Sequence, residues 1–185
     1  MAGEKKTLSE QASNSDVARV SGTNLVISRV LPASSERVWE YWVNPELLKK
    51  WLCGCETGLA QGESFVTDFD HTRISDSAPP EDIECGNESI QIRGEIVEFD
   101  PPNKLVNDWP HDKGPDTVIT VKLIAMDSGT LLKLTHARLT SEEFRKGASA
   151  GWHAHLDLLL DLRSQQPAPD FWLHYAGLKA EYYKS

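Results

Sequence analysis

His136 is the residue whose type and setting could most readily do chemistry. It lies in the stretch Thr130 to Leu139, where Lys133 marks the outward side. Alternation along a strand then turns Leu132, Leu134 and His136 inward. An imidazole among leucines can orient a ligand, or exchange a proton with it if a carboxylate such as Asp68 or Glu95 converges on the same space. More often such a histidine is a hydrogen-bonded part of the core. His155, on a helical stretch near the C-terminus, is placed to approach the same interior. His153, Asp157 and Asp161 recur at i, i+4 and i+8 and read as a solvated helix face. Arg93 and Glu95 share one strand face, with Asp108 on the paired strand. Ile90, Ile92 and Ile96 take the opposite face, so the charged set is expected outside.

Other chemistry is poorly supported. Cys53-x-Cys55 and Cys85, even with His71, lack the second ligand pair usual in a zinc site, so no metal is expected. An odd cysteine count suggests reduced thiols. There is no Gly-rich phosphate loop, nucleophile elbow or HExxH motif, and no cofactor is implied. Six tryptophans in 185 residues supply large aromatic surface. Trp51, Trp109 and Trp152 are candidate cavity walls, with ordinary core packing as the competing role.

These residues need elements to position them. Leu25 to Leu31 reads as a strand ended by Pro32. Ser34 or Ser35 can cap a helix carrying Val38, Trp39, Trp42 and Val43 on one stripe. Asn44-Pro45 stops it and starts a second short helix with Leu47, Leu48 and Trp51. Glu63 to Asp70 is extended, with Phe65, Thr67 and Phe69 on one face. Residues 71–89 are polar and acidic, long for a hairpin loop. Gly94 to Trp109 reads as strand, Asp-Pro-Pro-Asn turn, strand. Val118 to Ala125 and Thr130 to Leu139 form another hairpin, with Ile119, Val121 and Leu123 inward. Thr140 or Ser141 caps a long helix, on which Trp152, Leu156, Leu159 and Arg163 recur at helical spacing. Phe171 to Tyr183 reads as a further short helix with Phe171, Trp172, Tyr175 and Leu178 on its apolar side.

The composition, 39% hydrophobic and 25% charged, is ordinary for one globular domain. No apolar run approaches the ~20 residues that span a bilayer. Met1 to Val20 lacks a signal peptide's apolar region, so a cytoplasmic location is expected. The net charge of -9 argues against nucleic acid and anionic membrane surfaces as partners. Strands in a run with segregated helices predict an α+β fold with an antiparallel sheet.

A set of short segments carries a family resemblance. They are Ile27 to Ala33 with Arg37-Val38-Trp39, Asn44-Pro45-Glu46-Leu47 with Trp51, Gly94-Glu95-Ile96 leading to Asp100-Pro101-Pro102, Leu105 to Trp109, Gly129 to His136, and Gly151-Trp152. In this order and spacing, from about Thr23 to Arg163, they resemble the SRPBCC (START/Bet v 1-like) superfamily, in the branch of the Hsp90 ATPase activator homologue. The resemblance implies a helix-grip fold, a curved antiparallel sheet wrapped around the long C-terminal helix, with two short helices after the first strand. It implies a helix-grip domain over 21–165, flanked by what the composition reads as a flexible polar tail (1–20) and a C-terminal helical extension (166–185). It further implies a cavity for a small hydrophobic molecule. Trp51, Phe65, Ile92, Trp109, Ile119, Val121, Leu134, His136, Trp152 and Leu156 are the expected ligand-binding residues. The tail, the 71–89 segment and the extension depart from the family's usual length, and the last two could cover the cavity mouth. Binding without defined catalysis ranks first. A chaperone-partner role ranks second, and a polyketide cyclase-like enzyme using a buried histidine ranks third. Neither the ligand nor the oligomeric state follows from the sequence.

Overall fold

The computed structural model describes residues 18–56, 59–81, 83, 89–110, 116–165 and 169–182. Strands β1 (Ala18–Ser21) and β2 (Asn24–Leu31) come first, then helices α1 (Ser35–Val43) and α2 (Pro45–Leu48). Strands β3 (Gly54–Cys55), β4 (Ser64–Phe69), β5 (Ile90–Asp100), β6 (Lys104–Trp109), β7 (Thr117–Met126) and β8 (Gly129–Ala137) follow, with a 3-10 turn at His71–Arg73 between β4 and β5. Helices α3 (Glu142–Ser164) and α4 (Phe171–Tyr182) close the chain. The strands form one curved antiparallel sheet in the order β1-β2-β8-β7-β6-β5-β4-β3. This is the expected α+β helix-grip arrangement.

Local sequence explains most of these elements. Ser34 caps α1 by accepting from the Arg37 amide, and Asn44 caps α2 by accepting from the Glu46 amide, with Pro45 at the first turn. Ser141 caps α3. The β-branched runs of β2, β7 and β8 alternate as expected: Leu25, Ile27 and Leu31, then Ile119, Val121 and Leu123, then Leu132 and Leu134 are buried, while Lys122 and Lys133 face water. Buried Ala154, Leu156 and Leu159 of α3 belong to the same core. In β5, Ile96 is buried and Arg93 and Glu95 are exposed, so the charged set lies on the outer face.

Gly94 meets a close approach. A Cβ there would stand 2.6 Å from the Asp108 carbonyl oxygen and 2.7 Å from the Phe65 ring. The register shifts between Ile96 and Glu98, leaving Val97 as an exposed bulge residue.

Two expectations change. Order was expected to begin near Thr23, but Ala18–Ser21 already pairs with β2 through Ala18↔Ile27 and Ser21↔Asn24. Residues 1–17 lie outside the described ones, as does Cys85. The row His153, Asp157, Asp161 is not simply a solvated face. Asp157 accepts from Arg29 Nε at 3.0 Å and from His174 Nε2 at 2.9 Å, which links β2, α3 and α4. Arg29 can sit on the buried face of β2 because this carboxylate balances it.

Candidate functional site

The sheet's inner face is filled where α3 packs on β2 and α1 packs on β7 and β8. Space opens instead toward β4, β5 and β6, where the small residues Gly147, Ala148 and Gly151 leave α3 without bulk. An apolar cavity of about 300 Å³ lies there. Phe69, Ile92 and Trp109 form its sheet wall, and Phe144, Ala148 and Gly151 its α3 wall. Phe171, Trp172 and Tyr175 of α4 line a further side, with His71 and His155 beside them, and the space opens to solvent. A recess of about 160 Å³ adjoins it and reaches Leu52, His136 and Trp152.

Of the expected ligand residues, the structure brings four to this space: Ile92 and Trp109 at the cavity, Trp109, His136 and Trp152 at the recess. The other six, Trp51, Phe65, Ile119, Val121, Leu134 and Leu156, are packed core residues that do not border it. Strand alternation turned Ile119, Val121 and Leu134 inward and helical spacing did the same for Leu156, as the structure has them. Neither period could show that α1 and α3 fill that part of the interior.

His136 is held on both ring nitrogens. Trp152 Nε1–H donates to Nδ1 at 3.1 Å, and Nε2 lies 2.8 Å from Thr117 Oγ1. An indole nitrogen can only donate, so His136 Nδ1 is the acceptor and Nε2 carries the proton. The Thr117 hydroxyl in turn donates to the Trp109 carbonyl at 2.9 Å. Asp68 and Glu95 sit on the outer face, where Asp68 pairs with Arg73 at 2.7 Å. The histidine–carboxylate pair that cyclase-like chemistry would need is therefore not assembled, because strand alternation sends the two groups to opposite faces.

Two other histidines hold the more unusual position. His155 is buried, and its Nδ1–H donates to the Trp51 carbonyl at 2.6 Å. Its ring lies 4.4 Å from that of Phe171 and 5.5 Å from that of His71. His71 stacks on Phe171 and meets Trp172 at a tilt, each with ring centres 4.6 Å apart. Burial, helped by His71, holds His155 down to about 3 against the weaker pull of its Trp51 hydrogen bond. Burial likewise lowers His71 to about 4, with Asp70 opposing. Both imidazoles are thus neutral near pH 7.

The roof is fastened at its start. The Asp170 carboxylate accepts from Ser75 Oγ at 2.8 Å and from the amides of Asp76 and Ser77 at 2.8 and 3.0 Å. It also accepts from the Leu173 amide at 3.1 Å, which serves the first turn of α4. Despite the opposing effect of desolvation, these bonds draw the Asp170 carboxyl down to about 2. Sequence reading placed Phe171, Trp172 and Tyr175 on one apolar face but could not say against what. The signal for His71 was its position within an unusual loop, and no local pattern pairs it with His155.

Cys53 is buried, which pushes its thiol up, and Cys55 is partly buried. Among the described residues, no group of three or more His, Cys, Asp or Glu side chains is placed to hold a metal. No helix of the structure is long and apolar enough to cross a membrane.

Comparison with known proteins follows this geometry. Residues 32–162 match the family described as Activator of Hsp90 ATPase homolog 1-like protein. The solution structure of the protein encoded by gene BPP1335 from Bordetella parapertussis is 26% identical, with TM-score 0.77, over 91% of this chain and 88% of that one. CalU16 from Micromonospora echinospora is 22% identical, with TM-score 0.64, over 90% and 92%. DynU16, from the dynemicin biosynthetic locus, is 18% identical, with TM-score 0.63, over 81% of this chain and 51% of that one. The last two likenesses concern the fold. No curated protein matches the sequence significantly.

Proposed function

The chain belongs to the Activator of Hsp90 ATPase homolog 1-like family, and on that premise we propose that it binds a small hydrophobic molecule in the cavity roofed by α4. The observation that carries this reading is an apolar space of about 300 Å³ walled by aromatic side chains from β4, β6, α3 and α4. That volume sits at the lower end of the roughly 300–1,000 Å³ of small-molecule sites. A compact ring system suits it better than a long acyl chain. The occupancy of both ring nitrogens of His136 favours binding over acid–base catalysis.

Gly151 offers a direct test, since it borders both the cavity and the recess. Gly151→Leu adds a side chain toward the space and replaces a helix-interior glycine, which favours the helix by about 0.5–1 kcal/mol. Native mass spectrometry of the purified protein, followed by titration with a fluorescent hydrophobic probe, should show binding to the wild type and its loss in Gly151→Leu at equal or higher thermal stability. Unchanged probe affinity in that variant would refute the reading. Capture of a chaperone by a protein that takes up no probe would favour the interaction role instead.

A further inference from the structure

We propose that the ligand of this cavity is a neutral aromatic molecule whose hydroxyl donates a hydrogen bond to His155 Nε2. This rests on the cavity reading above and narrows it to a chemical class. His155 is 6% exposed, and its Nδ1–H is committed to the Trp51 carbonyl. A neutral imidazole has one proton, so Nε2 is left as a bare acceptor. The two ring nitrogens diverge, so the bond to Trp51 aims Nε2 to the opposite side of the ring. Among the described residues no side chain or backbone group donates to it. His71, next to it, also has no side-chain hydrogen bond among those residues and can serve as donor or acceptor through either nitrogen. Nε2 is not among the buried unpartnered atoms of the described residues, so it is accessible, and His155 lines both the cavity and the recess, where a donor on a ligand can reach it.

The surroundings set the rest of the ligand's character. Phe69, Trp109, Phe171 and Trp172 present ring faces and edges, which suits a flat aromatic body. The described lining residues include no Lys or Arg and no acid. An anion such as a carboxylate would be stripped of water there without a countercharge, and would meet a bare acceptor lone pair as well. A hydroxyl on an aromatic ring is neutral near pH 7 and supplies the one proton that Nε2 lacks.

The experiment uses three matched probes on the full chain at pH 7: 2-naphthol, 2-methoxynaphthalene and 2-naphthoate. Calorimetry should rank naphthol tighter than the methyl ether by about fivefold or more, with naphthoate weakest. His155→Phe should abolish the preference for naphthol while keeping affinity for the ether. Equal affinity for naphthol and ether in the wild type, or tightest binding of naphthoate, overturns this inference and leaves the cavity reading standing. Binding of none of the three overturns both. If His155→Phe does not fold, nitrogen NMR of imidazole-labelled wild type decides. The His155 Nε2 resonance should move on adding naphthol and stay in place with the ether, and an unmoved resonance with naphthol bound refutes the assignment.

Discussion

Trp152 contributes more than bulk. Its indole N–H fixes which nitrogen of His136 carries the proton, and that proton in turn engages Thr117. The chain of donors ends at the Trp109 carbonyl, so one wall of the recess is set by three successive hydrogen bonds. Thr117→Val keeps the shape but leaves the His136 N–H and the Trp109 carbonyl without this partner. An unsatisfied buried group costs about 1–3 kcal/mol, and urea unfolding of Thr117→Val should show a loss in that range. Had His136 been catalytic, activity would fall well before stability did. Here the expectation is that stability falls first.

At the scale of elements, α4 is the part of this chain that shapes the cavity most and depends most on one residue. Asp170 both starts the helix and gathers the Ser75–Ser77 backbone. Losing a helix cap costs about 1 kcal/mol, and the loop contacts made by the same carboxylate go with it. Asp170→Ala should therefore lower stability by more than a cap alone, and hydrogen exchange should quicken together in 75–77 and in the first turn of α4. Exchange that quickened in α4 alone would show the two segments to be independent. The hairpin of β5 and β6 has its own point of sensitivity. Gly94→Ala forces a methyl against the Asp108 carbonyl and the Phe65 ring. Strain of this kind typically costs about 1–3 kcal/mol, to be read as a fall in the denaturation midpoint.

Over the whole molecule, the two cavity histidines tie stability to pH. Both are held below the ordinary histidine value of 6.5, to about 4 for His71 and about 3 for His155. The unfolded chain therefore takes up protons at these positions before the folded one does. Stability from this source is complete above about pH 6.5 and is lost as pH falls toward 4 and then 3. Urea midpoints should drop between pH 7 and pH 4.5, and His71→Phe should flatten that slope. Asp170, held to about 2, adds a further loss only below the ordinary carboxyl range near 3.8. A midpoint that rose on acidification through this window would contradict the buried, neutral state of the pair.

What the sequence by itself determined was local and periodic. Caps at Ser34 or Ser35, Asn44, and Thr140 or Ser141 were legible because such side chains reach amides two or three residues on, and the structure uses Ser34, Asn44 and Ser141. Strand alternation turned Ile119, Val121, Leu134 and His136 inward and favoured the outer face for Glu95, since side chains change face at every residue; the exposed Glu95 of the structure decided the latter. The order of these elements was enough for an α+β class with an antiparallel sheet, and the family resemblance added the helix-grip fold. Only the tertiary structure decided which inward residues meet empty space. Trp51, Leu134 and Leu156 are as apolar as Trp109 and Ile92, yet the first three are packed into the core and the other two border a cavity. It also brought together His71, His155 and Phe171, which are separated by up to a hundred residues. No sequence period spans that distance. The pairing comes from where α4 docks, and that depends on how well its aromatic face fits the small residues of α3 and the carboxylate of Asp157 beneath His174.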